Sequence, residues 1–187
     1  MGRKVSIEYD QLIQSLTEVF RNVGYEAASL SMLEKATGLK KASLYHRFPQ
    51  GKEQMAHEVI KVVRIWMENN ILIILRSEAP PEERIKLLKN GLNKLYSGGK
   101  DSCIFNTFTF SQDKDSPFKK EIKSMILVFI KSLAVVVSDA GYDEKESYAR
   151  AERAVILLQG SLVVSHAIRS ERPFLDVLSR LDIELIG

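Results

Sequence analysis

The sequence predicts an all-α protein in which a small three-helix domain of helix-turn-helix type precedes a larger helical domain. Apolar residues recur at helical spacing along nearly the whole chain. The periodic segments are short before about residue 50 and much longer after it. Residues 107–110 alternate like a strand but have no partner strand elsewhere in the sequence, so we predict a short helix over 103–112. The domain boundary is placed between 1–51 and 52–187.

The first two helices are defined by their apolar spacing and by the residues at their ends. The first is predicted over 6–23 and ends at Gly24, a residue typical of helix C-caps. Its inward face is predicted to be Leu12, Leu16, Val19, Phe20 and Val23. The second is predicted over 30–36, directly after Ser29, which is a favourable N-cap residue. Its inward residues are predicted to be Leu30, Leu33 and Ala36.

A turn and a third helix complete the first domain. Gly38 provides the turn conformation, and Leu39 fills the angle between the two helices. The third helix is predicted over about 41–48, and Pro49 breaks it. Its inward residues are predicted to be Leu44 and Phe48, which are four positions apart.

Long helices are predicted in the second domain. The fourth helix should run from about 52 to 77, with Pro80 and Pro81 after its end. Its stripe at helical spacing consists of Met55, Val59, Val62, Val63, Trp66, Met67 and Asn70. The later helices are predicted at 82–97, 117–140, 143–170 and 173–185.

The region around the turn carries charges of one sign. Between residues 35 and 52 every charged residue is basic, namely Lys35, Lys40, Lys41, Arg47 and Lys52. A compact helix-turn-helix with a basic edge is the geometry that places a helix in the DNA major groove. The alternative is a solvated charged face on a helical interaction protein whose helix-turn-helix motif is only a packing unit.

The outward side of the third helix supplies the candidate DNA contacts. Small side chains at 42 and 43 allow a close approach to the groove, and the free N–H groups of a helix start favour a phosphate. Lysine and tyrosine side chains can bind the phosphate backbone, while base reading falls to residues near 41–46. The predicted DNA-binding residues are Ser29, Lys40, Lys41, Ala42, Ser43, Tyr45, His46 and Lys52.

The run LEKATGLKKASLYHRFPQGKE resembles the DNA-binding domain of the TetR family of bacterial transcriptional regulators. The resemblance covers about residues 6–60 and rests on the Ala-x-Gly-apolar turn, the Lys-small-small-Leu-Tyr helix and the following Phe-Pro…Lys-Glu. Two departures stand out. Glu34 occupies a position where the family usually has a small residue, and the link 48–52 is one residue longer than its commonest form. The longer link shifts the start of the fourth helix, where Lys52 lies.

The resemblance implies a ligand-responsive regulator, most simply a repressor, that binds a palindromic operator in double-stranded DNA as a homodimer. The run GSLVVSHAIRSERPFLDVLSRL is similar to the end of such domains. Independently, residues 154–168 are apolar on more than one side, and such a helix must be covered all round. The alternative is burial within one chain. The predicted dimer-interface residues are Leu158, Leu162, Ser165, Phe174, Leu178 and Leu181.

The resemblance also implies a small-molecule effector, and aromatic and soft residues in the second domain suit an apolar or aromatic one. The predicted ligand-binding residues are Trp66, Met67, Asn70, Phe105, Phe108, Met125, Phe129, Gln159 and His166, with Phe110 as a further candidate. Residues of this kind at helical spacing more often belong to a core, which is the alternative for each of them.

Other function classes find little support in the sequence. The single cysteine excludes a disulfide framework within the chain and a multi-cysteine zinc site. His46, His57 and His166 form no metal or catalytic motif, so we expect no enzyme activity, no metal and no cofactor. A thiol-redox regulator that uses Cys103 is a further alternative. The sequence shows no signal peptide, so we expect a cytoplasmic protein. The uncharged stretch 154–168 is too short to span a bilayer and contains polar residues, so we expect a buried helix and no membrane partner.

Overall fold

The computed structural model describes residues 7–109 and 118–187, and these residues form helices and connecting loops with no strand. The first domain holds α1 (Tyr9–Ala27), α2 (Leu30–Thr37) and α3 (Lys41–Arg47). The long connector begins as α4 (Lys52–Met67), continues as a π-helical turn (Glu68–Leu72) and ends as α5 (Ile73–Leu75). The remaining helices are α6 (Pro81–Leu95), α7 (Ile104–Thr109), α8 (Lys119–Asp139), α9 (Glu144–Ile168), α10 (Arg172–Ser179) and α11 (Leu181–Ile186).

The described residues divide into two compact units whose boundaries differ from the predicted domain boundary. Unit 1 comprises the chain up to Arg64 together with Ile104–Lys119, and unit 2 comprises Ile65–Cys103 together with Lys120–Gly187. Helix α4 therefore contributes residues to both units. Helix α7, which the sequence analysis placed in the second domain, packs against α1 and belongs to unit 1.

Unit 1 is held together by an aromatic cluster that the first helix shares with the segment around α7. The ring centroid of Phe108 lies 5.4 Å from that of Phe20 and 5.1 Å from that of Phe118. The Tyr25 ring packs edge-on against Phe118 at 4.8 Å. Offset and edge-on ring pairs of this kind stabilise a core beyond their buried area. The cluster extends the buried core of unit 1 from α1 to α7 and Phe118.

The end of α1 is shaped by Gly24. This residue has φ +74° and interrupts the helical conformation inside Tyr9–Ala27. A Cβ at this position would lie 3.3 Å from the backbone oxygen of Thr107, so glycine also allows α7 to approach closely. The predicted helix end at Gly24 is thus confirmed as a break, although helical turns continue to Ala27.

A tyrosine ties α1 to α4 inside unit 1. The Tyr9 hydroxyl donates a 2.8 Å hydrogen bond to Glu58 Oε2. Burial, followed by this hydrogen bond and the charge of Glu58, raises the pKa of Tyr9 to about 12. The hydroxyl is therefore a proton donor throughout the physiological pH range, and the carboxylate of Glu58 accepts from it.

The π-helical turn is a feature that the sequence analysis did not predict. It interrupts the predicted fourth helix at Glu68–Leu72, where the backbone pattern widens by one residue. The side chain of Asn70 donates to the carbonyl of Trp66 at 2.8 Å, and Arg76 pairs with Glu68 at 2.6 Å. Ile71 lies so close to α6 that a Cβ on Gly91 would approach its Cδ1 within 2.4 Å. The glycine makes room for the wide turn.

Unit 2 packs α6, α8 and the α9–α11 region around one core. Arg84 on α6 is buried, and its guanidinium donates to Asp139 at 2.6 Å and to the Leu75 carbonyl at 3.1 Å. Helices α9 and α10 are joined by the Ser165 hydroxyl, which accepts from the Phe174 backbone N at 3.1 Å. The predicted last helix, 173–185, is two helices that meet at Arg180.

Several predicted inward residues are exposed instead. Ala36 is exposed, and the next residue, Thr37, takes its place in the core with a 2.7 Å hydrogen bond to the Leu33 carbonyl. On the outer side of α1 and α4, Val23 and Val62 are 37% and 38% exposed. In α1 and α4 the predicted stripe was thus wider than the side that the structure buries.

Candidate nucleic-acid interface

The turn between α2 and α3 is built by three neighbouring residues. Gly38 has φ +67°, the left-handed conformation that ends α2, and a Cβ there would meet nothing within 4 Å. Glycine is therefore needed for its backbone conformation and not for space. The Thr37 hydroxyl accepts from the Leu39 backbone N at 3.3 Å, and Leu39 is buried. These contacts fix the angle at which α3 leaves α2.

Helix α3 has one buried and one exposed side. Leu44 is fully buried and Phe48, directly after the helix, is 2% exposed. The remaining residues of the helix are exposed, namely Lys41, Ala42, Ser43, Tyr45, His46 and Arg47, and so is Lys40 before it. The predicted orientation of this helix is confirmed.

The ring of Tyr45 has two neighbours, the turn at Gly51 and the Lys41 ammonium. The ring lies against the turn after α3, where a Cβ on Gly51 would come within 3.3 Å of the Tyr45 Cε1 atom. The Lys41 ammonium lies 5.9 Å from the ring centroid, in the range of a cation–π contact. The residue is nevertheless 43% exposed, so part of its side chain is open to solvent.

Ser29 and Lys52 already have partners in the fold. The Ser29 hydroxyl accepts from the Met32 backbone N at 3.3 Å, which confirms its predicted N-cap role. The Lys52 ammonium donates to the carbonyls of Tyr25 and Glu26 at 2.9 and 3.3 Å and lies 4.5 Å from the Tyr25 ring centroid. Lys52 therefore anchors the end of α1, and one of its three N–H donors is left for a phosphate.

Two contacts near α3 were missed in the sequence analysis. The Glu34 carboxylate accepts a short hydrogen bond from the Lys41 backbone N, across the turn. The N–H group that was predicted to favour a phosphate is thus already satisfied by an acid of this chain. The Arg47 guanidinium donates to the Ile7 carbonyl at 3.1 Å and ties α3 to the segment before α1. The unusual Glu34 was visible in the sequence, but its contact was not.

The predicted effector residues do not all fall in one unit. Phe105 and Phe108 belong to unit 1, and Phe108 is part of its aromatic cluster. The other candidates within the described residues belong to unit 2: Trp66, Met67, Asn70, Met125, Phe129, Gln159 and His166. Phe110 lies outside the described residues. Met67, Met125 and Phe129 are buried, whereas His166 and Asn70 are exposed.

His166 borders an open cavity of about 390 Å³ in unit 2. Its Nδ1 atom lies 3.4 Å from the Ser102 hydroxyl oxygen, and Lys100 and Arg169 also line the cavity. Glu171 adds an acidic group, so the lining carries charges of both signs. This charged lining differs from the apolar or aromatic pocket that the sequence predicted.

The predicted dimer residues need correction. Leu158, Leu162, Ser165, Phe174, Leu178 and Leu181 are each at most 6% exposed within a single chain. Their side chains are enclosed by unit 2 and are not available to a partner. The opposite side of α9 is apolar and exposed, with Ile156 at 63%, Val163 at 54% and Val164 at 46%. Gly160 lies on that same side, and a Cβ there would meet nothing within 4 Å.

Cys103 is buried and accepts a contact of 3.6 Å from the Tyr96 hydroxyl. Burial limits access of oxidants to the thiol, which disfavours the redox alternative.

Within 7–109 and 118–187 no group of three or more His, Cys, Asp and Glu side chains could hold a metal ion. Among the helices of the described ranges, α9 alone is long and apolar enough to cross a membrane by length and composition. The buried helix of a soluble core meets the same criterion.

Comparisons with known proteins agree with this geometry. Residues 12–59 match the family model described as bacterial regulatory proteins, TetR family. The chain is 22% identical over 181 residues to the uncharacterized HTH-type transcriptional regulator YxaF of Bacillus subtilis, covering 93% of each protein. It is 30% identical over 76 residues to the HTH-type transcriptional repressor KstR2 of Mycolicibacterium smegmatis, covering 41% of this chain and 37% of that protein.

The fold also resembles solved structures over almost the whole chain. A TetR transcriptional regulator from Legionella pneumophila superimposes with a TM-score of 0.82 at 21% identity, covering 98% of this chain and 100% of that one. At this identity the likeness concerns the fold. It extends the similarity of the N-terminal motif to the helical region that follows it.

Proposed function

The chain belongs to the TetR family of bacterial transcriptional regulators, and from that premise we propose that it is a repressor in the cytoplasm. In this proposal the protein binds a palindromic operator as a homodimer, and a small effector releases it from the DNA. Proteins of this family carry a DNA-binding helix-turn-helix, which favours DNA binding over a motif that only packs. They are generally not enzymes. The repressor role is supported by the similarity to KstR2, which is named a repressor.

The proposal rests on one observation, namely that α3 has a buried apolar side and an exposed polar side. Leu44 and Phe48 hold the helix to unit 1, while every other side chain of α3 is exposed and is small, polar or basic. A helix held in this way can enter a major groove without rearranging the domain. We infer that Lys40, Lys41 and Tyr45 bind phosphates, and that Ala42, Ser43 and His46 approach the base edges.

Ser29 and Lys52 are proposed as secondary phosphate contacts. Ser29 is exposed at the start of α2, and its hydroxyl already caps that helix. Lys52 has one donor left beside the two carbonyls that it binds. Their contribution to affinity should therefore be smaller than that of Lys41, whose ammonium is exposed.

A second copy of this chain is the proposed occupant of the exposed side of α9. Ile156, Gly160 and Val163 follow one another at helical spacing, so they form one continuous apolar strip. Gly160 allows a partner helix to approach closely. A homodimer also suits the palindromic operator, because a two-fold axis relates two copies of α3 to two half-sites.

The effector is proposed to bind in unit 2 near the end of α4. Trp66 and Met67 lie at the end of α4 that belongs to unit 2, and Lys52 at its start belongs to unit 1. A ligand that shifts α4 would therefore act on both units through a single helix. Only a difference in affinity between the two conformations can release the DNA.

Selection from a pool of randomised DNA duplexes tests the DNA-binding part of the proposal. The full chain should enrich two half-sites in inverted orientation, with centres about one helical turn or a multiple apart. A pool that shows no enrichment would contradict an operator-binding function. Enrichment of a single half-site would contradict the dimer and leave DNA recognition standing.

Fluorescence of the single tryptophan tests the effector part. Apolar and aromatic compounds that raise the thermal midpoint should also change the emission of Trp66, because the proposed site lies beside it. By linkage, the selected duplex must weaken the binding of such a compound by the same factor by which the compound weakens DNA binding. Equal affinity with and without the duplex would contradict release by that compound.

A further inference from the structure

Glu34 is the single acidic residue between Glu26 and Glu53, in a stretch that otherwise carries lysine and arginine. It lies on α2 and is half-buried. Its carboxylate crosses the turn and accepts the hydrogen bond from the Lys41 backbone N, at the first residue of α3. The position of this charge is thus fixed beside the exposed lysines that are proposed to bind phosphates.

The charge of Glu34 opposes the binding of a DNA backbone. It repels any phosphate that approaches Lys41, with an energy that the surrounding water reduces but does not remove. The hydrogen bond to the Lys41 backbone N favours this position of the carboxylate, because turning away would exchange it for a hydrogen bond between that N–H and water.

We propose that Glu34 is a positioning residue that also lowers the affinity of the helix-turn-helix for the DNA backbone. The hydrogen bond fixes the start of α3, and the charge opposes phosphates of any sequence. Non-specific binding depends almost entirely on phosphate contacts, so its strength reports this charge directly. The proposal rests on the DNA-binding function proposed above. It adds that Glu34 weakens this binding.

The test uses poly(dI-dC) as a probe of sequence-independent binding and compares the full chain with Glu34→Gln. The amide oxygen of glutamine can still accept from the Lys41 N–H, so this variant removes the charge and keeps the hydrogen bond. Its affinity for poly(dI-dC) should rise about fivefold at low salt, the effect of one water-screened charge contact. The logarithmic salt dependence should become steeper by up to about 0.9.

Glu18→Gln is the matched control. Glu18 is exposed on α1, where its carboxylate accepts from the Gln14 side chain, and the substitution changes the net charge by the same amount. It should leave the salt dependence unchanged. An equal gain for both variants would show that overall charge is responsible and would overturn the proposal.

Glu34→Ala separates the two roles of the residue. It removes both the charge and the acceptor, so its thermal midpoint should fall below that of Glu34→Gln. A folded Glu34→Gln variant with unchanged or weaker affinity for poly(dI-dC) would overturn the proposal. If the unchanged protein binds neither poly(dI-dC) nor a selected duplex, the proposed function itself fails.

Discussion

Helices α3 and α9 differ in how far their sequences determine their orientation. α3 has seven residues and one pair of large apolar side chains on its line of contact, Leu44 and Phe48. α9 has 25 residues and is apolar on opposite sides, with Leu158 buried and Ile156, about 160° away around the helix, exposed. A pattern can orient a helix only when one of its sides is polar. The predicted orientation of α3 was therefore right. The α9 residues that were predicted to face a partner copy are instead buried within one chain.

The difference has a functional meaning. In α3 the exposed side is polar and basic, which suits a charged and hydrated partner such as DNA. In α9 the exposed side is apolar, which suits a protein surface and is unfavourable in water. Four substitutions test this comparison, beginning with the largest expected effect.

Leu162→Glu should unfold unit 2. The side chain is 3% exposed within one chain, so the substitution buries an unpaired carboxylate and removes a packed leucine. We expect a loss of at least about 4 kcal/mol in the free energy of unfolding, measured by urea denaturation. A folded monomer with unchanged stability would show instead that Leu162 faces a partner copy.

Leu44→Ala should destabilise unit 1 by about 2–5 kcal/mol, because it removes a fully buried side chain between short helices. Chemical denaturation followed by circular dichroism measures the loss. His46→Ala, on the exposed side of the same helix, is the control and should change stability little. Similar losses for the two variants would contradict the orientation of α3.

Val163→Glu should separate the dimer and leave the folded chain intact. It places a charge on the exposed apolar strip of α9, where a partner helix would have to bury it. Sedimentation should give a monomer whose helical content is unchanged. Val135→Glu on α8 is the matched control, because Val135 is 48% exposed on a different helix, and it should stay dimeric. If both variants remain dimeric, the dimer interface does not lie on the exposed side of α9.

Lys41→Ala should have the smallest effect, and it should act on binding alone. The side chain is exposed, so stability should be retained, while affinity for every DNA sequence falls together. The salt dependence of binding should decrease by about one unit, the signature of one lost phosphate contact. Lys61→Ala, exposed on α4 beside Glu58, is the control. A loss of helicity without a change in salt dependence would show that Lys41 is structural.

Local features of the helix-turn-helix were predictable because they depend on neighbouring residues. The Ser29 cap, the Gly38 turn and the buried Leu44 each follow from the preferences of single residues. The short helix α7 followed from the absence of a partner strand, and it is confirmed over Ile104–Thr109. Residues 110–112 of that prediction lie outside the described residues.

Contacts between distant or competing residues could not be predicted from periodicity. The Lys52 ammonium binds carbonyls 26 and 27 positions earlier in the chain. Glu34 reaches across a turn to a backbone group, a choice that depends on the exact angle between α2 and α3. The placement of α7 in unit 1 depends on the shared packing of Phe20, Phe108 and Phe118. Such contacts depend on the assembled fold.

The π-helical turn at Glu68–Leu72 determines which way the end of the connector faces. Met67 and Leu75 are eight positions apart, and both are buried. In an uninterrupted α-helix they would differ by about 80° in rotation, since each residue adds about 100°. One residue absorbed by the wide turn reduces the offset to about 20°, so both point to the same side. A single-residue deletion inside this turn should thus be tolerated, whereas one inside Lys52–Met67 would rotate every later side chain away from its partners.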